Sequence, residues 1–124
     1  MQLKLYHVIQ ENAYYFKGYA RLCDLAEVFA DYSFSEETRE KAAIHKQSLS
    51  QGLSAFSVTL RMEPDSEIPS LEEETVFSSR ICQIYNGASK IAAICQMDAE
   101  ELSDSMAMVN LFFVTEEKMR QIVG

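Results

Sequence analysis

Residues 3–29, LKLYHVIQENAYYFKGYARLCDLAEVF, are the stretch on which the fold turns. Within and just beyond it, Leu5/Asn12/Tyr19/Ala26, Val8/Tyr15/Leu22/Phe29 and Ile9/Phe16/Cys23/Ala30 each recur at seven residues. A seven-residue repeat lays an apolar stripe along one side of an α-helix. The spacing predicts one helix from about Leu3 to Phe29, near 40 Å long at roughly 1.5 Å per residue.

Further along, Tyr32-Ser33-Phe34-Ser35-Glu36-Glu37 reads as a break followed by an N-cap, with Ser35 accepting from free backbone donors and two acids complementing the helix dipole. A second helix then carries Ala42, His45, Leu49, Leu53, Phe56 and Leu60, and ends near Met62 because Pro64 disfavours helix before it. Ser70-Leu71-Glu72-Glu73 has the form of a capping box. From there Phe77, Ile81, Ile84, Ala88, Ile91 and Cys95 step by 4, 3, 4, 3 and 4, a coiled-coil-like seam that keeps its phase across Asn86-Gly87. That dipeptide is accordingly read as helical. Asp98-Ala99-Glu100-Glu101 resembles another capping box and opens a fourth helix with Leu102, Met106, Val109 and Phe113 on one side. Thr115-Glu116-Glu117 caps a short last helix carrying Met119, Ile122 and Val123. The expected fold is all-α: an antiparallel helical bundle of three long helices plus a broken fourth made of two short C-terminal helices, in one domain spanning residues 1–124.

Composition sets the outer limits. The chain has 124 residues, 48% of them apolar and 24% charged, with only 4 Gly and 2 Pro, which excludes disordered and collagen-like classes. Its longest charge-free stretch, Gln47 to Leu60, has 14 residues, short of the roughly 20 of a spanning helix. The first residues lack the apolar run and cleavage site of a secretory signal, so a cytoplasmic protein is expected, with no membrane association. Cys23, Cys82 and Cys95, at spacings of 59 and 13, fit neither a disulfide framework nor a zinc site and are expected to be buried free thiols.

The net charge of −8 is unevenly placed: residues 1–62 hold 7 basic and 7 acidic side chains, residues 63–124 hold 4 and 12. Such a half repels a nucleic-acid backbone, so direct nucleic-acid binding is not expected. The acids gather at predicted helix starts, where they complement dipoles, and they also form a face for a partner with a basic surface.

Signals of chemistry are sparse. His45 lies on the apolar stripe of the second helix, which suits a core or interface histidine. Arg39 and His45, with five residues between them, resemble the R-x4-6-H signature of HEPN ribonucleases, small all-helical proteins. The resemblance implies that Arg39 holds a phosphate while His45 transfers a proton. The H-x-L-K-G pattern of phosphotransfer bundles is not met around His45. No Glu lies three residues before His7 or His45, as a di-iron bundle requires, so no metal or cofactor is expected. Gly18, Gly52 and Gly87 fall in the middles of the three long predicted helices, which suggests close helix crossings or a mid-bundle pocket for a small ligand. Tyr14, Tyr15 and Phe16 run consecutively and Phe112-Phe113 follows suit, more aromatic surface than one helix face hides. The functional expectation is therefore a non-enzymatic acidic helical protein that binds another protein as an adaptor, assembly chaperone or inhibitor of a basic partner. It is also expected to form a homodimer. Its docking surface would combine Tyr14, Tyr15 and Phe112 with Glu72, Glu73, Glu74, Glu100 and Glu101. An Arg39/His45 ribonuclease and a small-ligand bundle are the alternatives.

Overall fold

The structure, a computed structural model, describes residues 1–50, 56–102 and 105–124. It overturns the bundle: the chain builds a six-stranded mixed sheet with helices packed on one face. Residues 3–29 are a β-hairpin and a short helix. β1 (Gln2–Gln10) and β2 (Tyr15–Arg21) pair antiparallel, and α1 (Leu22–Val28) follows directly. Asn12 makes the reversal by accepting at Oδ1 from the amides of Tyr14 and Tyr15, both 2.9 Å away. Seven is an odd number, so in a strand it sends i and i+7 to opposite faces, and the repeat that mimicked a helix stripe mixes two sides of the sheet.

The alternation is also broken by a β-bulge. His7 sits at φ 56°, and the register passes from Tyr6↔Tyr19 to Ile9↔Lys17, leaving two residues of β1 opposite Gly18. Leu3 and Leu5 before the bulge and Val8 after it therefore all reach the core. Gly18 is small for this reason: a Cβ there would lie 3.2 Å from the Tyr6 carbonyl oxygen and 3.2 Å from Val8 Cγ2.

The remaining elements are α2 (Glu36–Ser50), β3 (Ser57–Met62), β4 (Glu74–Ser78), β5 (Cys82–Asn86), α3 (Ala88–Cys95), α4 (Ala99–Leu102), β6 (Met106–Phe113) and α5 (Glu116–Val123). Strand order is β4-β1-β2-β6-β3-β5, antiparallel throughout except for the β3–β6 pair. The two edge strands, β4 and β5, are joined by only Ser79, Arg80 and Ile81. Such a link reaches about 15 Å from Ser78 to Cys82 at about 3.8 Å per step, whereas six flat strands are about 24 Å across. The sheet must curl, and Phe77 of β4 accordingly approaches Phe113 of β6 with ring centroids 6.0 Å apart although β1 and β2 lie between their strands. The core occupies the concave side, where sheet residues such as Leu5, Phe16, Leu60 and Leu111 meet Leu25 and Phe29 at α1 and Ile91 and Ile94 of α3. α2 packs outside α3 through Ala42 against Ala92 and Ala93.

The other expected helices are corrected in the same way. The second starts as read, since Ser35 Oγ accepts from the Thr38 amide at 3.1 Å, and α2 is described as far as Ser50, but residues 57–62 are β3; Leu53 lies outside the described residues. Ser70-Leu71-Glu72-Glu73 opens no helix: the Glu72 amide donates to Thr75 Oγ1, and β4 begins at Glu74. The seam from Phe77 to Cys95 runs through two strands before reaching α3. Asn86-Gly87 keeps its turn preference, with Gly87 at φ 94° between β5 and α3. At Asp98 half of the box forms, the Glu101 carboxylate accepting from the Asp98 amide at 3.1 Å while the Glu101 amide donates to the Asp98 main-chain carbonyl, and α4 is described over Ala99–Leu102, but residues 106–113 are a strand. Thr115 caps α5 as expected, accepting from the Lys118 amide at 3.2 Å.

Candidate protein interface

The convex face of the sheet holds the side chains that do not point into the core, and strand pairing orders them in rows. One row crosses five strands as Glu74, Tyr6, Tyr19, Met108 and Ser57. On one side of it lie the pairs Val76↔Lys4 and Arg21↔Met106. On the other side come Ile9, Lys17, Asn110, Thr59 and Asn86, and then Tyr15, Phe112, Arg61 and Gln83. A sheet face without a covering layer normally carries polar residues. Here Ile9, Tyr19, Val76, Met106 and Met108 are all exposed, Tyr19 at 41% and Met108 at 42%.

Charges on this face are few and mostly satisfied. Lys4 pairs with Glu74 at 2.7 Å, and the hydrogen bond and charge of that carboxylate hold the ammonium above its ordinary pKa. Lys17 reaches Glu11 at 4.0 Å and also lies 5.6 Å from the Tyr15 ring centroid. Arg21 lies over Tyr6, its guanidinium carbon 5.3 Å from the ring centroid. Tyr, Met and Arg are the residue types enriched at the buried centres of protein interfaces.

At the far end the face is closed. Arg61 points to the convex side but is only 1% exposed. Its Nε donates to Gln83 Oε1 at 2.9 Å, and its Nη1 to Glu63 Oε2 at 2.6 Å and to the Val114 carbonyl at 2.9 Å, tying β3, β5 and the segment after β6 together.

Of the residues expected to bind a partner, Tyr15 and Phe112 come together on this face, stacked with centroids 4.4 Å apart and planes 8° apart, and Tyr15 Oη donates to Asn110 Oδ1 at 3.0 Å. Tyr14 sits half-buried at the hairpin reversal with Lys118 Nζ 5.6 Å from its ring centroid. Glu74 ends the central row at its edge, with Glu72 and Glu73 just before it, whereas Glu100 and Glu101 lie on α4. Sequence reading missed Tyr6, Tyr19, Arg21, Met106 and Met108 because a helical period scattered them.

The competing sites fare differently. Arg39 and His45 both lie on α2, six residues and thus about 120° apart around its axis, Arg39 exposed and His45 half-buried. The all-helical scaffold that their spacing resembled is not the one found. Gly18 and Gly87 belong to a strand and a turn, and Gly52 lies outside the described residues. A cleft of about 390 Å³ between β1, β4 and α1 is lined by Lys4, Val76, Asp24 and Glu27 among others, and by no glycine. Among the described residues no group of three His, Cys, Asp or Glu stands ready to hold a metal, and no helix is long and apolar enough to cross a membrane.

The three cysteines are unpaired, Cys82 buried and Cys23 and Cys95 half-buried. Desolvation pushes the Cys82 thiol up to about 12 from 9.0 and raises Cys95 as well, the opposite of what a nucleophile needs. Disulfide exchange with an aromatic disulfide at neutral pH should therefore leave Cys82 unmodified in the native chain and consume it on unfolding. The raised pKa has a sign for stability too. Between pH 9 and 12 the unfolded thiol has lost its proton while the folded one keeps it, so stability falls as pH rises through that window. Urea melts at pH 8 and 10 should show the loss, and Cys82→Ser should reduce it.

No protein-family model, curated protein or solved structure matches the chain.

Proposed function

We propose that this chain is a non-enzymatic protein-binding module of the reducing cytoplasm whose working surface is the convex face of the sheet. The observation that carries the reading is the patch of exposed apolar side chains on adjacent strands, with Tyr19 and Met108 paired at its centre and Ile9, Val76 and Met106 in the rows beside them. A contiguous patch of this kind is costly to leave in water, and on soluble domains it marks an interaction site. The unpaired thiols support the compartment. Of the acidic groups of the second half, Glu74 stands at the edge of this surface with Glu72 and Glu73 just before it in sequence: a partner with basic margins is steered by them, while the contact itself is apolar and aromatic. Adaptor, assembly-chaperone and inhibitor roles all use such a surface.

A photo-crosslinking amino acid placed at Met108, with a control at the exposed Ile44 of α2, tests the assignment in the cells that make the protein. Protein adducts are expected from position 108 and not from position 44. Equal yields from both, or none from position 108, would refute it.

A further inference from the structure

We infer that the occupant of the convex face is a second copy of this chain, laid face to face with its strands crossing near a right angle. The inference rests on the reading of that face as protein-binding and adds the identity of the partner.

Area comes first. Leaving out the end closed by Arg61, the face is five strands wide at about 4.8 Å each and three rows deep at about 6.8 Å each, roughly 500 Å² in projection and more with side-chain relief. A standard stable interface takes about 800 Å² from each partner, so such a contact needs the whole open face and its relief, and no smaller part of it suffices.

Shape comes second. A curled, twisted sheet is a saddle, convex across its strands and hollow along them, as barrels are hyperboloids. Two identical convex ridges touch poorly when parallel, but turned by about 90° the ridge of each lies in the hollow of the other, the orthogonal mode of sheet packing. A two-fold axis lying in the contact plane, diagonal to the strands, generates this arrangement and makes it self-complementary.

Charge comes third. With the axis passing through Tyr19, a side chain one row away along a strand faces one that lies a similar distance across the strands in the other copy. Arg21 is one row from Tyr19, about 6.8 Å; Tyr6 and Glu74 are one and two strands away, about 4.8 and 9.6 Å. One of the two diagonals thus brings the guanidinium of each copy onto the Tyr6–Glu74 arm of its mate, where it finds both a ring face and a carboxylate. Among the described residues Arg21 makes no ion pair with a carboxylate of its own chain, although the chain carries an excess of eight negative charges. The face itself carries Lys4, Lys17 and Arg21 against Glu11 and Glu74, so two copies meet where the acidic excess is absent.

Sedimentation velocity on the full chain across about 1 to 200 µM decides the matter. The expected species is a dimer of twice the 14.1 kDa chain. Arg21→Glu and Glu74→Arg are each expected to weaken it by about 30-fold or more, and the double variant to recover most of that loss, with unchanged far-ultraviolet dichroism showing that all three fold. A wild-type chain that stays monomeric overturns the inference, as does a dimer indifferent to both single substitutions or a double variant no tighter than either single one. Should the chain be monomeric while a crosslinker at Met108 still captures a protein of other mass, the identity of the occupant fails and the docking face stands. Should position 108 capture nothing either, both fail.

Discussion

Replacing Glu63 by glutamine is expected to destabilise the fold by about 3 kcal/mol, at the lower end of the range of about 3–5 kcal/mol for removing one partner of a buried ion pair. The reason is what remains behind. Arg61 is 1% exposed, and its Nη1 lies 2.6 Å from the Glu63 carboxylate, the one acidic group among its hydrogen-bond partners; Gln83 and the Val114 carbonyl are neutral. Glutamine keeps the shape of the site and withdraws the counter-charge, so the guanidinium stays in a poorly solvated place. Glu63 itself keeps a 20% exposed side chain, which is why the lower end is expected. Arg61→Met is expected to be milder, about 1–2 kcal/mol, because it removes the buried charge along with its partner's purpose and fills the volume, leaving mainly the Val114 carbonyl unsatisfied. Urea denaturation at pH 7 with an unchanged slope measures both. The order of the two, with the conservative-looking Glu63→Gln the worse, is the distinguishing result; a melting shift of roughly 10 °C should accompany it.

Gly87→Ala is the second large effect, expected to cost about 2–4 kcal/mol. Two independent penalties add at this position. Its φ of 94° lies where an L side chain pays about 1–2 kcal/mol. A Cβ would also stand 2.7 Å from Val58 Cγ1 and 3.2 Å from the Ser57 carbonyl oxygen, and Val58 is fully buried in a strand that cannot move aside, so overpacking adds about 1–3 kcal/mol. Gly18→Ala is the useful comparison, since its contacts of 3.2 to 3.3 Å come without a positive φ, and a smaller loss is expected. Gly87 lies at the junction of an edge strand and α3, at the rim of the convex face, and the Cβ it lacks would press on Val58, which is buried on the other side of the sheet. Its alanine variant, measured well below its melting temperature, should therefore associate as the wild type does, which separates stability from surface function.

The strands were hidden for a physical reason that bears on function. In β6, Ala107, Val109, Leu111 and Phe113 alternate cleanly into the core, but the outward positions are Met106, Met108, Asn110 and Phe112. Period-two patterning is visible only when one side is polar, and here the outward side is nearly as apolar as the inward one. The same surplus appears in β1 and β2, where Tyr6, Ile9, Tyr15 and Tyr19 look outward, and the bulge at His7 shifts the phase besides. Read as a sequence, this surplus made the first helix too apolar for one face and pointed to an interface. The surplus was real, and its geometry was a sheet's rather than a helix's. Tyr15 and Phe112 were legible as candidates because consecutive aromatics stand out whatever the backbone does, whereas Tyr19, Arg21 and Met108 become a site only once β2 and β6 lie side by side.

By itself the sequence determined the features that need only near neighbours: the caps at Ser35, at Asp98 with Glu101 and at Thr115, the acidic second half, and the lack of a charge-free stretch long enough to span a membrane as a helix. A cap is made by a side chain and an amide three residues apart, so local spelling suffices. Tertiary structure alone decided that residues 2–21, 57–62, 74–86 and 106–113 become strands and their turns, because each ladder takes its hydrogen bonds from a segment elsewhere in the chain, Tyr15 from the neighbourhood of Phe112 and Ser57 from that of Met108. Those pairings curl the sheet, turn the core residues inward and leave Ile9, Tyr19, Val76, Met106 and Met108 facing out, uncovered by the other described residues.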